Sequence, residues 1–149
     1  MYNLLILDDE PLFRQYTRSV IDWQELGFEV FEADNGKTGI DIVKSRDIAL
    51  VFADINMPIM DGIEFGKIAK KIKPDIYIVI VSGYGEFEFT KKAIKIGVND
   101  YILKPFSEEE IKEVVYKIKD NLDRKYGVIK GLKKKQGLMD ENVKDKKKK

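Results

Sequence analysis

Five side chains able to bind ions or react stand in one recurring context: each follows directly on an apolar, strand-like run. Asp8 and Asp9 come after Asn3-Leu4-Leu5-Ile6-Leu7, and Asp54 after Leu50-Val51-Phe52-Ala53. Ser82 follows the run at 76–81, and Lys104 follows Tyr101-Ile102-Leu103. If these runs are parallel strands of one sheet, all five residues share its carboxyl edge, where open α/β sheets bind ligands. Three carboxylates there repel one another unless a cation sits among them. Mg²⁺ suits such a group, because it takes oxygen ligands octahedrally and keeps several waters. The Lys104 ammonium and the Ser82 hydroxyl make the same place receptive to an anion, around a carboxylate able to act as a nucleophile.

Each residue taken alone has a plainer reading. Asp54 caps the turn that follows it, Asp8 and Asp9 are a charge pair before a helix, Ser82 is a turn residue and Lys104 a solvated surface lysine. What separates the two readings is coincidence on one edge, so the elements that would place the residues there decide the matter.

Strand-like and helix-like segments alternate with short connections, the pattern of βα units around a parallel sheet. After the first strand, Pro11 suits the first position of a helix, in which Phe13, Tyr16, Val20 and Trp23 recur at helical spacing and are expected to face the core. Phe28-Glu29-Val30-Phe31-Glu32 alternates as an edge strand with one wet face does. A short helix is expected at 36–46, then a strand at 49–53 and a helix marked by Ile63, Phe65, Ala69 and Ile72. The run at 76–81 is almost wholly apolar and β-branched, as a strand covered on both faces is. A helix at 86–96 leads through Gly97, expected in the left-handed region, to a short strand at 101–103. Ser107 and Glu110 form a capping box for a helix carrying Ile111, Val114, Val115, Ile118 and Leu122. Five strands and five helices account for residues 1–123. The last helix is expected to continue to around Ile129, and the final dozen residues, without an apolar period, are expected to be disordered.

Composition narrows the chemistry. The 149 residues contain no cysteine and no histidine. Disulfides, thiolate or imidazole metal sites and serine–histidine triads are therefore excluded. With 44% apolar and 36% charged residues, and neither a membrane-length apolar run nor a signal-peptide pattern at the amino terminus, the expectation is a soluble, cytoplasmic globular protein without membrane association. The formal net charge of +1 conceals a division: residues 1–123 carry 16 basic and 23 acidic side chains, whereas residues 124–149 carry 11 and 3.

Four motifs in this order and spacing resemble the receiver domains of bacterial two-component response regulators over about residues 2–123: Asp8-Asp9-Glu10-Pro11, the stretch from Asp54 through Asn56, Met57-Pro58 and Asp61-Gly62, Val81-Ser82-Gly83-Tyr84, and Asp100-Tyr101 through Lys104-Pro105-Phe106. The stretches Ile21-Asp22-Trp23-Gln24-Glu25-Leu26-Gly27-Phe28 and Tyr84-Gly85-Glu86-Phe87-Glu88-Phe89 are similar to the receivers of regulators with an AraC-type output. The resemblance implies a flavodoxin-like (βα)5 doubly wound parallel sheet with strand order 2-1-3-4-5. It implies that Asp54 is the phosphoacceptor for a sensor histidine kinase or a small phosphodonor. Asp9, Asp54 and the Asn56 carbonyl would hold Mg²⁺, with Asp8 acting mainly through a bound water, while Lys104 and Ser82 would bind the phosphoryl oxygens. Ser82 and Tyr101 would switch the surface of the fourth helix, fifth strand and fifth helix, Asn56 and Tyr84 would tune phosphate lifetime, and Lys104-Pro105 would be a cis peptide. A homodimer in the phosphorylated state is expected.

Such a domain is a signalling switch with at most self-phosphorylation from small donors and autodephosphorylation, rather than an enzyme in the usual sense. A haloacid-dehalogenase-like phosphatase also uses an aspartyl nucleophile with Mg²⁺, but its nucleophile lies after the first strand in an Asp-x-Asp pattern, where this chain has adjacent Asp8-Asp9. The expected organisation is a receiver at 1–123 and a basic extension at 124–149. DNA would be reached only through an output domain absent from this chain, which is either a truncated regulator or a stand-alone receiver acting by protein–protein interaction. The basic tail has two readings, phosphate contacts with nucleic acid and a solvated terminus.

Overall fold

The computed structural model describes the backbone of residues 1–83 and 87–138, and the side chains of 1–83 and 91–127. Its elements alternate strictly: β1 (Tyr2–Leu7), α1 (Pro11–Val20), β2 (Phe28–Ala33), α2 (Gly36–Ser45), β3 (Ile48–Asp54), α3 (Gly62–Ile72), β4 (Tyr77–Ser82), α4 (Phe87–Lys95), β5 (Asp100–Leu103) and α5 (Glu108–Leu138). The strands form one five-stranded sheet in the order β2-β1-β3-β4-β5, every pairing parallel. A parallel sheet with helical crossovers is covered on both faces, and the central strands show it: Leu4 to Leu7, Leu50 to Ala53 and Ile78 to Val81 are all buried. The chain order reverses at β1 and β3, which makes the carboxyl end between them the topological switch point.

Two compact units divide the chain, Met1–Ile111 and Lys112–Lys149. The first contains the whole sheet and a core cluster built on Leu5, Leu7, Val51, Phe65, Ile78 and Ile80. In the second, α5 continues past its expected end near Ile129 to Leu138. Extending a formed helix needs far less than nucleating one, and the Lys, Leu and Gln residues there outweigh Gly131 and Gly137. Residues 139–149, and with them nearly all of the segment expected to be disordered, lie outside the described residues.

The first helix departs from its apolar spacing. Thr17 is its buried residue, Phe13 and Val20 are half-buried, and Tyr16 is 37% exposed. The Thr17 hydroxyl donates to the Phe13 carbonyl at 3.0 Å, which satisfies it within the helix. The helix stops at Val20, so Trp23 reaches the core from the loop; its Nε1 donates to the Thr17 carbonyl at 2.9 Å and its ring meets Phe28 edge-on. In α3, Ile63, Phe65 and Ala69 are buried as the spacing predicts, while Ile72 in the last turn is exposed. Gly97 has a φ of +85°, and Ser107 and Glu110 form the reciprocal capping box.

Candidate functional site

Strand register builds the site. Leu7 pairs with Ala53, so Asp8 and Asp54, one residue further along each strand, emerge together. Asp54 pairs with Val81 and Ser82 with Leu103, which brings Ser82 and Lys104 to the same edge. The Lys104 backbone N–H also donates to the Ser82 carbonyl at 2.7 Å. Carboxylate oxygens of Asp8, Asp9 and Asp54 all lie within 4.8 Å of one another. Asp8 and Asp54 are 2% and 6% exposed, whereas Asp9 is exposed.

The Lys104 ammonium sits in this acidic edge, 3.0 Å from Asp8 Oδ2, 2.8 Å from Glu10 Oε1 and 3.6 Å from Asp54 Oδ2. The ammonium also lies over the Phe13 ring, 4.3 Å from its centroid. Burial pulls its pKa down, but hydrogen bonds to Glu10 and Asp8 and the nearby Asp54 charge outweigh burial and raise it. Asp8 is different. Burial raises its pKa above the carboxylate value, and the Glu10 backbone N–H and Lys104 offset only part of that rise. Lysine here gathers several carboxylates, while Asp8 has one cation and bears the cost of desolvation.

Ser82 is 1% exposed, and its Oγ is a buried side-chain polar atom with no hydrogen-bond partner among the described residues. Buried hydroxyls are almost always satisfied, so one left unpaired beside an ammonium and an aspartate is suited to a ligand oxygen. Three oxygen donors of the hard type, in excess of the half-buried Lys104 ammonium beside them, fit a divalent cation such as Mg²⁺. Asn56 is exposed in the loop two residues beyond Asp54. Tyr101 is 45% exposed on edge strand β5. Tyr84 lies outside the described residues. The Lys104-Pro105 peptide is cis, as expected.

Four residues shape the site without having been singled out by the motifs as actors. Arg14 Nη1 donates to the Asp8 carbonyl at 2.7 Å while its Nε contacts Glu32 at 2.9 Å, which ties the β1–α1 turn to the edge strand. Gly62 passes so close to the phosphoacceptor candidate that a Cβ there would lie 2.3 Å from the Asp54 carbonyl oxygen. Ile59 holds a φ of +72°, a conformation unusual for a β-branched side chain. Glu10, though part of the first acidic motif, reaches Lys104 across the fold. Gly62 carried a local signal, a glycine after Asp61 at a helix start, whereas Arg14 and Glu10 act through partners distant in sequence.

Known proteins carry the same arrangement of strands. The chain is 36% identical over 112 residues to the uncharacterized transcriptional regulatory protein YesN of Bacillus subtilis, covering 74% of this chain and 30% of that protein. To sporulation initiation phosphotransferase F of Bacillus subtilis it is 34% identical, over 77% of this chain and 91% of that one. The chain thus spans less than a third of YesN. Among solved structures, the REC domain of AraT, a response regulator from Geobacillus stearothermophilus, superposes with a TM-score of 0.80 at 36% identity, covering 84% of this chain and 98% of that domain. The family model of the response regulator receiver domain matches residues 4–116, which takes in every strand but the first two residues of β1 and all five residues of the acidic edge. On that match, with the parallel 2-1-3-4-5 sheet beneath it, this chain belongs to the response regulator receiver family.

Proposed function

We propose that this chain is a phosphorylation-controlled switch in which Asp54 accepts a phosphoryl group from a sensor histidine kinase. The observation that carries the reading is the unpaired Ser82 hydroxyl on the same edge as Asp54 and Lys104. In the proposed reaction a carboxylate oxygen of Asp54 attacks phosphorus as the bond to the donor breaks, leaving an acyl phosphate. Lys104 and Ser82 receive the phosphoryl oxygens, which supplies the positioning and charge neutralisation that phosphoryl transfer chiefly needs. Asp9, Asp54 and the Asn56 carbonyl would hold Mg²⁺, with Asp8 acting through a bound water; the ion, when bound, neutralises charge that builds on the transferring group. Low burial of Asp9 leaves that side of the site open to a donor.

Arrival of the phosphoryl charge draws Ser82 inward, and Tyr101 moves from its exposed position toward the space vacated. That motion alters a surface to which α4 and β5 contribute exposed Ile94, Tyr101 and Leu103, through which the phosphorylated form pairs with a second copy. Asn56 and Tyr84 tune the lifetime of the phosphate. Similarity to a transcriptional regulatory protein supports control of transcription as the output, through a DNA-binding module of the AraC type, in the cytoplasm. Incubation with Mg²⁺ and acetyl phosphate is expected to add one phosphoryl group, and Asp54→Asn to abolish it; labelling that persists in the variant would overturn the assignment. Sedimentation of the beryllofluoride-treated protein tests the pairing, and a purely monomeric species would remove it.

A further inference from the structure

Glu10 stands at the N-cap of α1, a position that favours short oxygen side chains able to bond the first turn. Its side chain makes no such cap. It reaches instead to a residue 94 positions away in sequence and places Oε1 2.8 Å from Lys104 Nζ, the shortest of that ammonium's three carboxylate distances. An ammonium has three N–H groups to give. Glu10 and Asp8 each take one of these, while Asp54 stands 3.6 Å away, beyond hydrogen-bond reach, so a single donor remains for a phosphoryl oxygen. Asp8 and Asp54 are buried, whereas the Glu10 side chain is 63% exposed and can turn into water. A phosphoryl group that takes a second N–H of Lys104 therefore displaces Glu10 rather than Asp8.

We propose that Glu10 is a specificity-determining residue that disfavours free phosphoanions as donors, by occupying Lys104 and adding a negative charge at the mouth of the Asp54 site. The proposal rests on the phosphoacceptor reading of Asp54 given above. A small dianion approaching from solvent meets Glu10 with nothing but its own charge. A donor carried on a docked protein brings binding energy from elsewhere on its surface, and that energy offsets the displacement of Glu10. Removing the Glu10 charge should then help free donors in proportion to their own charge.

Two donors separate charge from shape. Acetyl phosphate is a dianion at neutral pH; its bond from phosphorus to the acyl oxygen breaks, acetate leaves with the electron pair, and a carboxylate oxygen of Asp54 takes the phosphorus. Phosphoramidate is a monoanion with a protonated nitrogen; its P–N bond breaks and ammonia leaves with the pair. Initial rates of phosphoryl incorporation would be measured by intact mass on the full chain and on Glu10→Gln, at fixed saturating Mg²⁺ and at low and high ionic strength. At low salt Glu10→Gln is expected to raise the acetyl phosphate rate about tenfold and the phosphoramidate rate about threefold, both gains shrinking as salt is added. A fold defect would lower both rates together, so the donor ratio isolates the charge effect. A donor ratio unmoved by Glu10→Gln, or an acetyl phosphate rate that falls, overturns the proposal while wild-type labelling of Asp54 stands. Failure of the wild-type chain to take a phosphoryl group, or equal labelling of Asp54→Asn, defeats the phosphoacceptor reading and the proposal with it.

Discussion

At the scale of single residues, stability and function pull in opposite directions at this sheet edge. Ser82 keeps a hydroxyl that is dry and, among the described residues, unpaired, which costs stability. Ser82→Ala is therefore expected to hold or raise the melting temperature while slowing phosphoryl uptake about tenfold, roughly the worth of one hydrogen bond to a charged group. Thermal denaturation and acetyl phosphate labelling of the same sample check both halves. Asp8 shows the same tension through charge. Burial raises its folded pKa above the ordinary carboxylate value of 3.8. A raised pKa means that the folded state binds the proton more tightly, so the contribution of Asp8 to stability is full below the unfolded pKa and is lost as pH climbs through the folded one. Without divalent cations, Asp8→Asn is expected to melt higher than wild type near neutral pH, with the gap closing as pH falls toward the carboxylate range. Melting curves followed by fluorescence of Trp23 across that range would show it, and a gap that widens on acidification would contradict the sign.

The elements matter because they convert separate strand ends into one site. Gly62 opens α3 where a side chain would run into the backbone of Asp54, at 2.3 Å from its carbonyl oxygen. Backbone on both sides cannot step away cheaply, so Gly62→Ala is expected to cost about 2–4 kcal/mol of stability and to slow phosphorylation by displacing Asp54. Denaturant unfolding and labelling rates measure the two effects. Much of this level was legible beforehand. The alternation of runs, Pro11 at a helix start, the left-handed Gly97 and the Ser107 and Glu110 box all found their places, because each depends on near neighbours in the chain. The first helix departs from its apolar spacing. Its apolar spacing pointed to Tyr16 as core, yet Tyr16 is part exposed with its hydroxyl given to the Phe106 carbonyl at 2.6 Å, and Thr17 takes the interior. A threonine that bonds its own helix can be buried, and periodicity alone does not register that.

For the molecule as a whole, charge and length divide unevenly, with an acidic receiver and a basic carboxyl-terminal extension. We propose that residues 1–123 are the phosphoacceptor domain and that the extension takes no part in the chemistry. A chain ended after Asp123 is expected to take phosphate at a rate within about twofold of the full chain, since additive behaviour is the rule for groups distant from a site. A larger loss in labelling would show that the extension contributes. No described helix is long and apolar enough to cross a membrane. By itself the amino-acid order determined the class of fold, the order of elements and which five side chains end their strands, because hydrophobic period and turn chemistry act over a few residues. Tertiary structure decided the rest. Only the folded structure could show that Asp8 and Asp54 emerge side by side, that the Ser82 hydroxyl is left without a partner among the described residues, and that Glu10 crosses 94 positions to hold Lys104. Distances between residues far apart in sequence are set by the packing of the whole sheet, and no local pattern encodes them.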